Sequence, residues 1–180
     1  LKALPRDLDG FDDVEWLVVD DGSTDRTAEV ADQHGVDHVI RLKQHQGLAR
    51  AFQRGLNESL RRGADVIVNT DADNQYRADD IPKLIQPLLD NKADVTVGSR
   101  PIDEIGHFSY LKKILQKFGS WVVRKLSTAP VKDATSGFRA FNRHAAKRLN
   151  VFDDYTYTLE TLIQAGRGDL SVQSVPIRVN

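Results

Sequence analysis

A chain of 180 residues is long enough for one domain with a sizeable core, and its apolar and charged fractions are those of an ordinary globular protein. A net charge of −1 offers no global basic field for nucleic acid, and the absence of cysteine excludes disulfides, thiolate zinc sites and cysteine nucleophiles. No apolar run approaches the roughly 18 residues that span a bilayer, and no signal peptide is visible. The chain starts at Leu1 and contains no methionine, so we expect a trimmed or processed segment with elements missing at its ends.

The first predicted element is "VEWLVVD" (14–20), a short β-branched run that reads as a buried strand. Ser23 and Thr24 are placed to cap a helix that runs to about His34, with Asp25 and Arg26 at its start and Gly35 as its stop. "HVIRL" (38–42) is a second strand. "GLARAFQRGLNESLRR" (47–62) is a helix with Leu48, Ala51, Phe52, Leu56 and Leu60 on one face and Gly63 beyond its end. "DVIVNT" (65–70) and "DVTVG" (94–98) are further strands. The helix between them starts near Asp79 and Asp80, tolerates Pro82 in its first turn, and should be kinked or interrupted at Pro87.

This alternation predicts an α/β fold, a mostly parallel sheet with helices on both faces. Such sheets bind ligands at the carboxyl ends of their strands. The residues there are Asp20-Asp21-Gly22-Ser23, Asp71-Ala72-Asp73 and Gly98-Ser99-Arg100, so acidic and basic groups meet on one edge. In the second half, residues 107–127 read as a basic amphipathic helix. "DATSGFRAF" (133–141) follows, then short helices near 143–149 and 157–166 and a last strand at 172–179.

The pair Asp71 and Asp73 in "VNTDADNQY" needs an explanation, because carboxylates this close repel each other. A calcium loop would need glycine at its sixth position and glutamate at its twelfth, where this chain has Tyr76 and Pro82. An aspartyl-nucleophile phosphatase needs a downstream lysine and a second acidic pair, which is not found in the expected context, and it stays a lesser alternative; a receiver domain needs a lysine after its fifth strand, and none is found. Two main readings remain. One is a solvated turn. The other is a Mg2+ or Mn2+ ion held by Asp71 and Asp73, with Gln75 as a neutral ligand or water-orienting group and phosphate oxygens completing the shell. The company of Asp20, Asp21 and Arg100 favours the ion. The five histidines show no metal spacing.

Taken together, "VVDDGSTDRT" (18–27), "HQGLARAFQRGL" (45–56), "NTDADNQY" (69–76), "VGSRP" (97–101) and "DATSGFRAF" (133–141) resemble the family 2 glycosyltransferases of the GT-A fold. Within that family the chain looks most like the dolichol-phosphate mannosyltransferase and polyprenyl-phosphate glycosyltransferase group. The resemblance covers nearly the whole chain. It implies a single catalytic domain, with residues 1–100 as the nucleotide-sugar and metal half and 101–180 as the acceptor half. A nucleotide-diphosphate sugar is the donor, Mg2+ or Mn2+ the cofactor, and transfer inverts the anomeric carbon. Asp20 and Asp21 then lie at the nucleotide, Asp71, Asp73 and Gln75 at the metal and diphosphate, and Arg100 at a phosphate. Lys113 and Lys117 hold an acceptor phosphate. Asp133, Ser136 and Arg139 belong to a loop over donor and acceptor. Glu160 falls in an acidic helix segment without an assigned role. Family members begin with a strand carrying a Pro and an Asn-Glu pair; here it would precede Leu1, so the expected fold lacks its first strand.

Sugar transfer builds negative charge on the leaving diphosphate and positive charge on the sugar. A phosphate-monoester acceptor is largely a dianion at neutral pH and needs cationic clamps such as Lys113, Lys117 and Arg139 more than a base. A saccharide hydroxyl would instead need a carboxylate base, for which Asp133 is the first candidate. A lipid phosphate acceptor fits the 107–127 helix, which either rests on the cytosolic face of a membrane or packs as an ordinary surface helix. A nucleotide-binding or receiver-like module without transfer activity is the non-enzyme alternative.

Overall fold

The computed structural model describes residues 1–101, 131–152 and 157–180. The helix expected over 107–127, with Lys113 and Lys117, lies outside the described residues. Among the rest, β1 (Leu17–Asp20) is followed by α1 (Thr27–Gln33), β2 (His38–Arg41), α2 (Leu48–Arg61) and β3 (Val66–Asn69). A 3-10 turn (Ala78–Asp80) leads into α3 (Ile81–Leu89) and β4 (Val95–Ser99). Beyond residue 131 come β5 (Arg139–Asn142), α4 (Arg143–Arg148), α5 (Tyr157–Arg167) and β6 (Val172–Pro176).

Local chemistry explains most boundaries. The α1 helix starts at Thr27, later than Ser23 and Thr24 suggested, because Asp25 accepts the Thr27 amide and hydroxyl while the Ser23 amide turns back to Asp20. Asn142 caps α4 by accepting the Ala145 amide at 2.8 Å. α3 runs through Pro87 without interruption. Pro82 occupies the first turn, where an N–H would have no intrahelical acceptor, and Pro87 forgoes one bond, to the Lys83 carbonyl, while its own carbonyl accepts the Lys92 and Ala93 amides beyond the helix end. In α2 the buried stripe is Ala49, Phe52 and Leu56, while Leu48, expected on that face, is exposed.

β1 and β2 pair in parallel. The other strands form a sheet of order β3-β5-β4-β6. β3, β4 and β6 share one direction, and β5 runs against both its neighbours. The sequence pattern did not foresee β5, which falls at the end of "DATSGFRAF". Its direction has a simple cause. Residues 133–138 lie at the carboxyl ends of β3 and β4, so a strand leaving that point must run backwards.

Side-chain alternation then sorts the core into two layers. Ile67, Val95, Val97, Phe141 and Val172 face α2, α4 and α5, where Phe52 stacks on Tyr157 at 4.0 Å between ring centroids. Val66, Val68, Ala140 and Val175 face α3 with Ile81, Leu84, Ile85 and Leu88. The Thr96 hydroxyl, fully buried, donates to the Leu84 carbonyl and ties β4 to α3. Among the described residues, no helix is long and apolar enough to cross a membrane.

Candidate active site

Each strand end expected to carry chemistry does place a charged group there. Asp20 closes β1; its side chain is nearly buried and accepts the Ser23 amide at 2.9 Å. Asp21 accepts the amides of Gln46 and Gly47 and meets His45 Nδ1 at 2.8 Å. It therefore stitches the first loop to the start of α2. Gly22, at φ 78°, makes this close: a β-carbon there would come within 2.7 Å of the Gln44 and His45 backbone. No hydrogen bond or ion pair among the described residues joins Asp20 or Asp21 to the groups around Asp71.

Those groups form a tighter constellation. Asp71 follows β3, is half-buried, and accepts no hydrogen bond among the described residues. Burial first and the neighbouring Asp73 second push its carboxyl above the ordinary carboxylate range, against the pull of Arg100 and Arg139. Asp73 is exposed and its Oδ1 accepts the Gln75 amide at 3.0 Å, closing a turn in which Asn74 takes φ 58°. Gln75 is exposed on the same turn.

Opposite stands a buried charge pair. Arg100 donates through Nε and Nη2 to the two oxygens of Asp133 at 2.6 and 3.1 Å, and again to Thr135 Oγ1. Asp133, expected as a base for a hydroxyl acceptor, is wholly buried in this pair. Arg139, expected at the acceptor, is also wholly buried and donates to the carbonyls of Ser136, Thr158 and Ala134 and to Thr161 Oγ1. Burial pulls its guanidinium down to about 10, so it stays charged at neutral pH. It lends positive potential from behind the site. Ser136, likewise assigned to the acceptor, is wholly buried, with its hydroxyl accepting the Phe138 amide at 3.3 Å.

The sequence pattern missed the groups that seat Asp71. Gly137 lies against its carboxylate: a β-carbon there would sit 2.8 Å from Asp71 Oδ2 and 3.1 Å from the Tyr157 hydroxyl. Asn69 donates to the Gly137 carbonyl at 2.7 Å and to the Tyr157 hydroxyl at 2.9 Å, while the Tyr76 hydroxyl accepts the Gly137 amide. Burial pushes the Tyr157 phenol up to about 12. Gly137 and Tyr76 fall inside motifs already noted; Tyr157 carried no sequence signal beyond opening a helix.

A divalent cation suits this donor set. A half-buried carboxylate without a hydrogen-bond donor, raised by a second carboxylate, is relieved by a hard cation bound to oxygen. Among the described residues no group of three or more His, Asp or Glu side chains is gathered to hold a metal. The set therefore resembles sites where one or two carboxylates share the ion with substrate phosphates rather than an all-protein cage.

The chain is 30% identical over 175 residues to a polyprenol monophosphomannose synthase of Mycolicibacterium smegmatis, covering 91% of this chain and 66% of that one. It is 32% identical over 199 residues to a UDP-N-acetylglucosamine–dolichyl-phosphate N-acetylglucosaminyltransferase of Methanococcus voltae, covering 99% and 79%. In structure it is similar to glucosyl-3-phosphoglycerate synthase of Mycobacterium tuberculosis in complex with Mn2+, UDP-glucose and phosphoglyceric acid. That match has a TM-score of 0.70 and 20% identity and covers 91% of this chain and 58% of the other. The chain thus spans between about three fifths and four fifths of these proteins. The structural likeness carries the fold, the Rossmann-like GT-A arrangement that the resemblance implied. With the model described as glycosyl transferase family 2 matching residues 2–149, the chain belongs to that family.

Proposed function

We propose that this chain is the donor- and metal-binding core of an inverting transferase that moves a sugar from a nucleotide diphosphate to a polyprenyl phosphate of the dolichyl type. The observation that carries this reading is Asp71: a half-buried carboxylate beside Asp73, without a hydrogen-bond donor among the described residues, facing the positive potential of Arg100 and Arg139. Asp71 and Asp73, with Gln75, would hold Mg2+ or Mn2+. When bound, such an ion neutralises the charge that develops on a departing diphosphate. Arg100, fixed by Asp133, supplies a second and permanent positive charge at that point. Asp20 and Asp21 shape the loop assigned to the nucleotide.

The acceptor reading rests on two supports. The relatives above are named for polyprenol and dolichyl-phosphate acceptors. The carboxylate best suited as a base for a hydroxyl acceptor, Asp133, is locked to Arg100. A phosphate dianion needs no such base. Residues 101–180 would supply the acceptor half, with Lys113 and Lys117 as phosphate clamps and 107–127 resting on the cytosolic face of a membrane.

The test is transfer from a panel of labelled nucleotide sugars to a short polyprenyl phosphate by the full-length protein. Expected is a labelled lipid that forms with Mn2+ or Mg2+, is lost with chelator, and is abolished in Asp73→Ala. Product on a saccharide hydroxyl and none on lipid phosphate would overturn the acceptor assignment. Undiminished transfer by Asp73→Ala would overturn the metal assignment.

A further inference from the structure

The last described residues run back across the loop that carries the carboxylate pair. Ile177 donates its amide to the Ser99 carbonyl at the end of β4. Arg178 is anchored twice on Asp80, which is fully buried: its amide donates to Oδ2 at 2.7 Å, and its guanidinium reaches both oxygens, with Nη2 at 2.7 Å from Oδ1. Lys83 adds a third contact to Asp80 at 2.9 Å. Val179 then forms an antiparallel bridge with Tyr76. Asn180 completes the segment, donating its amide to the Gln75 carbonyl at 3.0 Å and its side-chain Nδ2 to the Asn74 carbonyl at 2.8 Å.

These contacts take hold of the two residues that follow Asp73, including Asn74 in its left-handed conformation. Without a partner for those carbonyls the exposed turn has little to define it, since Asp73 itself contributes only the bond to the Gln75 amide. Tyr76, stacked on Phe138 at 5.2 Å, pins the far end. The loop is thus clamped between a buried acidic anchor at the start of α3 and a segment arriving after β6.

We propose that residues 177–180 are a strap that sets the spacing of Asp71 and Asp73, with Arg178 and Asn180 as positioning residues for the metal site. The proposal rests on the metal reading above. Neither side chain bonds to Asp71 or Asp73: Arg178 is on Asp80 and Asn180 on the Asn74 carbonyl. Each acts by holding the backbone from which Asp73 projects, as outer partners orient ligands in metal sites generally.

The experiment is a Mn2+ titration of the full-length protein followed by electron paramagnetic resonance of the free ion, beside thermal unfolding. Asn180→Ala removes one donor at the surface and should weaken Mn2+ about fivefold, the effect of one net hydrogen bond. Arg178→Ala removes the guanidinium half of the anchor, leaving only the amide bond to Asp80, and should weaken Mn2+ about tenfold. Asn142→Ala, which uncaps α4 far from the strap, should lower the melting temperature and leave Mn2+ affinity unchanged. Amide exchange at residues 73–76 should quicken in the two strap variants and not in the control. Unchanged Mn2+ affinity in Asn180→Ala and Arg178→Ala, or an equal loss in the Asn142→Ala control, would overturn the strap alone. A wild-type protein that bound no Mn2+ would overturn the metal reading and this proposal with it.

Discussion

Asp71 carries the clearest conflict in the molecule. Its ionised form is opposed by burial and by Asp73, and its folded pKa lies above that of the unfolded chain. Protonation therefore contributes stability that is full below the unfolded value and is lost as pH rises through the raised folded value. At neutral pH the ionised carboxylate destabilises the metal-free fold. Asp71→Asn should then raise the melting temperature in chelator by a few degrees, about 1 kcal/mol, while abolishing any stabilisation by Mn2+, as scanning calorimetry with and without the ion would record. In acid, Mn2+ affinity should fall from a pH above the ordinary carboxylate range, and Asp73→Asn should move the Asp71 protonation to lower pH, read by carboxylate carbon NMR. Arg139 poses the opposite case: a buried cation satisfied by three carbonyls and a hydroxyl. Arg139→Met strips a donor from each and removes positive potential from Asp71. A loss of about 3 kcal/mol in urea unfolding is expected.

At the scale of elements, the turn before β5 decides the site. Because β5 runs against β3 and β4, residues 133–138 arrive at the strand ends and set Gly137 against Asp71. Gly137→Ala would place a methyl carbon 2.8 Å from Asp71 Oδ2, closer than real contacts allow, with the Tyr157 hydroxyl behind it. The carboxylate has to move, since it is the freer neighbour. Mn2+ affinity should drop by about tenfold or more while the urea midpoint shifts little, because no helix or strand needs the glycine's conformation. The end of α3 teaches a related point. Pro87 reads as a breaker, but two residues before the helix end it forgoes a single bond and α3 continues to Leu89, so position within the element outweighs residue type.

Across the whole molecule, α2 joins parts that share no strand pairing. Its Gly55 approaches β1, where an added methyl would meet Val19 at 3.3 Å, and its Phe52 stacks on Tyr157 and tilts against Phe141 of β5. β1 and β2 thus connect to the larger sheet through a helix rather than through hydrogen bonds among the described residues. Phe52→Ala removes the ring at that junction and should cost about 3–5 kcal/mol. Unfolding by urea should also lose its single transition, with the β1-β2 part melting first by amide exchange.

The alternation of elements and the ends of most strands were legible in the sequence, because hydrophobic period and local capping act over a few residues, and the family was legible through the resemblance of five ordered motifs. The carboxylate pair was legible for the same reason, since Asp71 and Asp73 share one turn. The strand β5, the locking of Asp133 by Arg100, the enclosure of Arg139 and Ser136, and the seating of Asp71 by Gly137 and Tyr157 were not. Most depend on segments far apart in the chain meeting at one sheet edge, as Arg100 meets Asp133 and Asn69 meets Tyr157, and the enclosure of Arg139 depends on α5 folding back over it. Sequence determined which groups could do the chemistry. Only the tertiary structure decided which of them stand free at the site and which are held behind it, because burial and partnership are properties of the packed chain.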